Sequence, residues 1–428
     1  MAVQIGCIAD DFTGASDLAG MLQQAGMRTL QVIGVPSEPM PADPDVDAIV
    51  VALKSRTAPV QRAVGDTLAA HRWLQALGIS QVYFKYCSTF DSTDQGNIGP
   101  VTDALQDATG ADFTVVCPAF PENQRTVYKG HLFVGDVLLA ESGMRDHPLT
   151  PMTDSNLVRV LQRQTSSSVG LIDHAVVGAG ANAIRERIKA LKGQGVRMAV
   201  VDAIANADLI QIGAACAGLP LVTGGSGLAM GLPQNFAQAA RAASANQVGD
   251  SPAPRGLRAI VSGSCSQASQ AQLKDLLDRG TPGFALDPLS LVSGDDAVQA
   301  RVDEAMAWAS SRIQDGPVVI YATAAPDRVR QVQQALGAER AGALVEQTLA
   351  AIATTLVEQG VRQLIVAGGE TSGAVVTALG VDQLRIGRLI DPGVSWAVSV
   401  GDTPVALALK SGNFGSVDFF SKAWETAP

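Results

Sequence analysis

Two carboxylates stand side by side at Asp10 and Asp11, directly after an apolar run and directly before a helical pattern. Only one of two adjacent side chains can cap the helix that follows, so the other is free to accept a proton from a hydroxyl or to hold a metal ion. A cap plus a solvated neighbour is the alternative. Cations end the next apolar runs: Lys54 and Arg56, then Lys85, with Ser88, Thr89 and Asp91 behind it in YFKYCSTFDST. Arginine grips a carboxylate or phosphate as a planar fork, which makes this group a candidate site for a small anion; ordinary solvated charges are the other reading. Glu122, Asn123, Arg125, Lys129 and His131 belong to the same polar rim. Gly225 and Ser226 in VTGGSGLAMG read as an anion-holding turn or as a plain helix start.

Two further loops carry the composition of phosphate binders. Val261 is followed by Ser262, Gly263, Ser264, Cys265 and Ser266, and Ala367 by Gly368, Gly369, Glu370, Thr371, Ser372 and Gly373. Glycines let the backbone approach phosphate oxygens, a helix N-terminus adds positive dipole, and hydroxyls donate to the same oxygens. Either loop alone is as well explained by a tight turn; together they point to nucleotide phosphate. There is no GxxxxGK[ST], no GxGxxG after a strand, no GxSxG and no kinase HRD/DFG set.

The elements that must position these residues alternate regularly. Val3–Ala9, Ala48–Leu53, Gln81–Phe84, Phe113–Cys117, Met198–Val201 and Leu219–Thr223 are short apolar runs, most of them followed by helical periodicity. After Leu257 the alternation restarts with Leu257–Val261, Val318–Ala322 and Leu364–Ala367. Continuous apolar strands alternating with helices predict an α/β protein of two domains, each a mostly parallel sheet flanked by helices, with ligands outside the carboxyl ends of the strands. The stretch ANQVGDSPAPRG has no period and reads as a linker, so we expect domains at 1–245 and 257–428 joined by 246–256. The tail SWAVSVGDTPVALALKSGNFG is expected to form a hairpin against the edge of the second sheet.

Composition closes off several functions. Charged residues make up 17% and hydrophobic ones 47% of the 428, which is outside the disordered class. A net charge of -10 without a basic run offers no general attraction to nucleic acid. The five cysteines are odd in number and widely spaced, so neither a disulfide framework nor a zinc site is expected. The opening MAVQIGCIADDF lacks the pattern of a secretory signal and no apolar run reaches bilayer length; a cytoplasmic protein without membrane partners is expected, with a homodimer as its plausible assembly.

IADDFTGASDLAG, KYCSTFDSTDQGNIGP, PAFPENQRTVYKGHLFV, HPLTPMTDSNLVRVLQRQT and AGGETSGAVVTALGV together resemble the four-carbon acid sugar kinase family, from about Ile5 to Phe420. The resemblance implies an N-terminal domain for the sugar acid, a C-terminal domain for ATP, and an active site in the cleft between them. It implies transfer of the γ-phosphoryl of ATP, with Mg²⁺, to the terminal hydroxyl of a four-carbon sugar acid. The family's acidic start falls on Asp10 and Asp11, implying the proton acceptor, and its basic strand-end position on Arg56. Its Lys and Asp-Ser-Thr motif falls on Lys85 and Asp91 to Thr93, and its nucleotide motifs on Ser264, Gly368 to Thr371 and Gly412. Where the threonate and erythronate kinases of the family show a DSTLRGN-like stretch, this chain reads DSTDQGN, with Gln95 for the arginine. That difference favours the branch acting on 3-oxo-tetronate over simple aldonates. A sugar-acid sensor without chemistry and a nicotinamide-dependent oxidoreductase are the rival classes.

Overall fold

The computed structural model describes residues 3–37, 45–147, 149–236, 254–291, 295–324 and 326–427. The chain divides into two compact units, Met1–Val248 and Gly249–Pro428. Most of the expected linker, 246–253, lies outside the described residues.

In the first unit the main strands up to the middle are β1 (Ile5–Ala9), β2 (Thr29–Ile33), β3 (Ala48–Ala52), β4 (Gln81–Lys85) and β5 (Thr114–Cys117). A small antiparallel sheet follows, made of β6 (Arg125–Tyr128), β7 (His131–Val134) and β8 (Val137–Leu138). The chain then returns with β9 (Ser168–Ile172), β10 (Val196–Val201) and β11 (Leu221–Gly224). The main sheet runs β2-β3-β1-β4-β11-β5-β10-β9, with neighbours parallel throughout. Every residue of β1, β3 and β4 is buried, as continuous apolar strands covered on both faces must be. Helix α1 (Phe12–Gln24) is buried along nearly its whole length, and its Gly14, Ala15, Ala19 and Gly20 keep it slim enough for that. Helix α2 (Val60–Ala76) buries Ala63, Thr67, Ala70, His71 and Leu74, one stripe at helical spacing.

The second unit contains β12 (Leu257–Ser262), β13 (Gly283–Ala285), β14 (Val318–Tyr321), β15 (Val361–Ala367), β16 (Gln383–Asp391), β17 (Val394–Ser399) and β18 (Ala406–Lys410). Its order is β13-β14-β12-β15-β18-β17-β16, parallel from β13 to β18 and antiparallel beyond. The expected tail hairpin is therefore not an edge addition. Its second arm, β18, pairs along β15, and β16 extends the sheet past its first arm. ALALK is buried at every position, which marks an interior strand. Trp396 anchors this end, fully buried beside Phe419 and Phe420, with its indole N–H donating to Ala423 O at 2.9 Å.

Candidate active site

Asp10, Asp11, Arg56 and Lys85 meet because β3, β1 and β4 are neighbours in register: Ala9 lies opposite Ala52 on one side and Lys85 on the other. The aspartates leave β1, Arg56 leaves β3, and Lys85 closes β4. The loop that bears Arg56 is tied down twice. Ser55 N and Arg56 N donate to Asp10 O at 2.9 and 3.2 Å, and Asn97 Nδ2 donates to the carbonyls of Ser55, Arg56 and Ala58 at 2.8, 3.2 and 2.8 Å.

Arg56 grips Asp10 as a fork, Nε to Oδ2 at 2.9 Å and Nη2 to Oδ1 at 2.8 Å. Its Nη2 also reaches Asp11 Oδ1 at 2.6 Å, and its Nη1 lies 3.6 Å from Asp91 Oδ2. Lys85 Nζ approaches Asp11 Oδ1 at 3.4 Å, and Thr13 Oγ1 donates to Asp11 Oδ2 at 2.8 Å. Neither aspartate caps α1 through its side chain, although Asp11 holds the N-cap position; both are committed to cations. Gly14 makes the arrangement possible, because a Cβ there would lie 1.8 Å from Lys85 Nζ and 2.2 Å from Asp11 Oδ1.

Burial and charge work against each other here. Burial raises the proton affinity of Asp10 despite the Arg56 fork. At Asp11 burial pushes the same way, but Arg56 and Lys85 prevail and hold the carboxyl well below the usual range. Burial would strip Lys85 of its proton, yet Asp11 and Asp10 keep it firmly charged. The side chain of Asp11 is 26% exposed and that of Asp10 only 7%, so an incoming ligand reaches Asp11.

Asp91 and Phe90 take φ of 31° and 65°, a left-handed backbone that costs non-glycine residues on the order of 1–3 kcal/mol each and recurs at functional loops. Thr89 Oγ1 secures Asp91 Oδ1 at 2.6 Å. Gly225 and Ser226 follow β11, which lies beside β4, but they are buried: Tyr83 Oη donates to Gly225 O at 2.5 Å and the Ser226 hydroxyl donates to Asp17 Oδ2. Asp17, which the sequence reading passed over, is 5% exposed; its Oδ1 has no hydrogen-bond partner, and burial raises its pKa to about 7. The available signal was a lone acid in the middle of a helix whose neighbouring residues are small or apolar. Lys54 is exposed, and Lys129 pairs at the surface with Asp173 at 3.3 Å.

In the second unit the glycine loops close on one another. A Cβ at Gly263 would meet Thr371 Oγ1 at 2.2 Å, one at Gly368 the same oxygen at 2.8 Å, and one at Gly412 would meet Ser264 Oγ at 2.5 Å. Gly368 has φ of 129°, open only to glycine. Ser264, Gly368, Gly369, Glu370 and Thr371 line a cleft of about 330 Å³ whose other lining mixes Val329, Val332, Ala341 and Val345 with Arg328, Gln333 and Glu346. Ser262 and Ser266 do other work. Ser262 is fully buried and shares a hydrogen bond with Thr323 at 2.7 Å, while Ser266 caps the helix Gln267–Asp278 and donates to Gly412 O at 2.5 Å. Gly412 thus joins the loops from behind. The sequence reading also missed Lys410, fully buried beneath this last loop. Among the described residues no cluster of three or more His, Cys, Asp and Glu side chains is placed to hold a metal ion.

A parallel sheet that gathers paired carboxylates and cations at its strand ends, followed by a unit with a glycine-lined cleft, has the chemistry to suit a small polar ligand and a nucleotide phosphate. Residues 5–232 match the family model described as the sugar-binding N-terminal domain, and residues 259–420 the one described as the nucleotide-binding C-terminal domain; the chain belongs to this family. A relative from Burkholderia multivorans, named 3-oxo-tetronate kinase, is 59% identical over 98% of this chain and 96% of its own. One of the same name from Pseudomonas fluorescens is 56% identical over 98% and 96%. A solved protein from Haemophilus influenzae, HI1011, matches with a TM-score of 0.78 at 44% identity over 99% of this chain and 100% of that one.

Proposed function

We propose that this chain transfers the γ-phosphoryl group of ATP to the terminal (4-) hydroxyl of 3-oxo-tetronate, giving the 4-phosphate and ADP. The acid would bind residues 1–245 and ATP residues 257–428. The observation that carries the reading is the Asp10, Asp11, Arg56 and Lys85 cluster, which holds paired cations for a carboxylate beside a carboxylate for a hydroxyl proton. The relatives named 3-oxo-tetronate kinase, and Gln95 in place of an arginine, support the choice of acid.

Phosphoryl transfer asks mainly for positioning and charge neutralisation. Arg56 and Lys85 draw in the substrate carboxylate, while Asp10 keeps both oxygens in the Arg56 fork and so aims it. Asp91, on its strained loop, fixes the other edge of the guanidinium. As Lys85 turns to the substrate, Asp11 loses a cation, its proton affinity climbs, and it accepts the proton as the hydroxyl oxygen bonds to phosphorus and the bond to ADP breaks. Gly225 and Ser226 back the pocket through Tyr83 and Asp17. The loops at Ser264 and at Gly368 to Thr371 cradle the phosphates, and Gly412, Ser262 and Ser266 hold those loops. Magnesium suits such a cleft because it keeps most of its ligands from water and phosphate; Glu346 and Glu370 are the lining carboxylates it would meet, and when bound it would neutralise phosphate charge. The five free cysteines support a reducing, cytoplasmic setting.

ADP release should be measured with 3-oxo-tetronate, threonate and erythronate, with and without Mg²⁺. Turnover should be fastest with 3-oxo-tetronate and cease without the metal. An absorbance change with NAD and no ADP would mean an oxidoreductase, and saturable binding without turnover a sensor.

A further inference from the structure

Lys410 ends β18, between β15 and β17, and its side chain is fully buried. Its Nζ donates to Ser411 O at 2.9 Å, Gly412 O at 3.2 Å, Phe414 O at 3.2 Å and Ser269 Oγ at 3.3 Å, and lies 5.9 Å from the centre of the Phe419 ring. The elements packed around it face it with these neutral groups and with Ala367 across the strand pair. The charged groups tied to the same loop are Asp391 and Lys422, which pair with each other while Ser416 N and Oγ donate to Asp391 at 2.9 and 2.8 Å, and Asp418, which lies against Ser416 and Lys422. Among the described residues no carboxylate offsets the ammonium; burial alone governs its proton affinity and lowers the pKa to about 7.

A buried cation held only by neutral oxygens, with no counter-charge, is costly, and such perturbed groups cluster at functional sites. The loop that Lys410 holds does not line the cleft but packs behind Ser264, which does. Gly412 O also accepts from Ser266 and Ser269, and a Cβ on Gly412 would lie 2.5 Å from the Oγ of Ser264, which lines the cleft. We infer that Lys410 is a charge-balancing and positioning residue of the nucleotide site, whose missing counter-charge is the phosphate chain of the bound nucleotide on the Ser264 side of the loop. This rests on the second unit binding nucleotide. The carbonyl contacts leave the ammonium with no reach to substrate, so its part is to fix the loop and set the field, not to touch reacting atoms.

A consequence follows that a purely structural lysine would not show. Phosphate anions favour the charged form, so nucleotide binding takes up protons, up to about 0.9 per site at pH 8 for a group titrating near 7, and affinity weakens by up to about tenfold per pH unit above 7. Calorimetric titration of the full chain with ADP and with adenosine, at pH 8 in HEPES and in Tris, reads this directly. Wild type should take up protons with ADP and none with adenosine. Lys410→Met should bind ADP at least tenfold more weakly, without the uptake, and keep its adenosine affinity. Lys410→Arg should recover most of the ADP affinity while remaining insensitive to pH. If neither variant folds, the wild-type comparison can still overturn the inference. Equal proton uptake with ADP and adenosine, or wild-type ADP affinity and uptake in Lys410→Met, would overturn the inference. Failure of wild type to bind either ligand would instead overturn the nucleotide-site reading on which it stands.

Discussion

Replacing Arg56 with methionine keeps much of the side-chain volume and removes the charge that holds three acidic groups. The guanidinium makes contacts of 2.9 and 2.8 Å to Asp10, 2.6 Å to Asp11 and 3.6 Å to Asp91, and its own side chain is only 22% exposed. Breaking a buried ion pair by removing one partner typically destabilises by about 3–5 kcal/mol, because an uncompensated charge stays inside. Lys85 still faces Asp11, so the orphan is Asp10, whose proton affinity burial already raises. Its folded pKa then rises further above the unfolded value, and the carboxyl favours the folded state only where it is protonated. The defect should therefore be larger at pH 7 than at pH 5, shrinking as pH falls toward the carboxylate range. Urea unfolding of Arg56→Met at pH 7 and pH 5, followed by Arg56→Met with Asp10→Asn, tests this. The second substitution removes the stranded charge and should restore a large part of the loss. If Arg56 also grips the substrate acid, loss of a charge-assisted bond of about 1.5–3 kcal/mol raises KM by about 10- to 150-fold. A single variant as stable as wild type, or a double variant no better than the single, would refute the view that this network is charge-compensated.

Asp11→Asn should lower kcat by about 10²–10⁴ while calorimetric ADP affinity stays unchanged, since the carboxylate belongs to the first unit. Gly14→Ala places a methyl group where Lys85 Nζ and Asp11 Oδ1 now sit; overpacking of this kind costs about 1–3 kcal/mol, and KM for the acid should rise together with the fall in thermal midpoint. Asp17, with its folded pKa raised to about 7, contributes most below the unfolded carboxylate range, and that contribution is lost as pH rises toward and through 7. Denaturant midpoints for Asp17→Asn should therefore vary less than wild type between pH 4 and pH 8. Gly412→Ala forces a carbon to within 2.5 Å of Ser264 Oγ and should weaken ADP binding by at least tenfold with little effect on unfolding of the first unit.

Residue order alone determined the alternation of buried strands and helices, because runs such as AIVVA can only be covered on both faces, and it located the chemistry just past strand ends, where backbone leaves the core. Asp10, Asp11, Arg56 and Lys85 were legible for that reason, as were the two glycine loops. Which of them meet is another matter. Arg56 reaches the aspartates from 46 and 45 positions away because β3 pairs with β1, and strand pairing between parallel neighbours depends on crossovers that leave no local mark. The same crossovers bury Ser226 against Asp17 from 209 positions apart and move β18 from the expected edge into the interior. Asp17 and Lys410 could not be assigned from sequence because a lone charged residue in a mostly apolar segment looks the same whether its charge faces water or a core. Only the packing around them, which removes solvent and leaves them neutral hydrogen-bond partners, makes their charges matter.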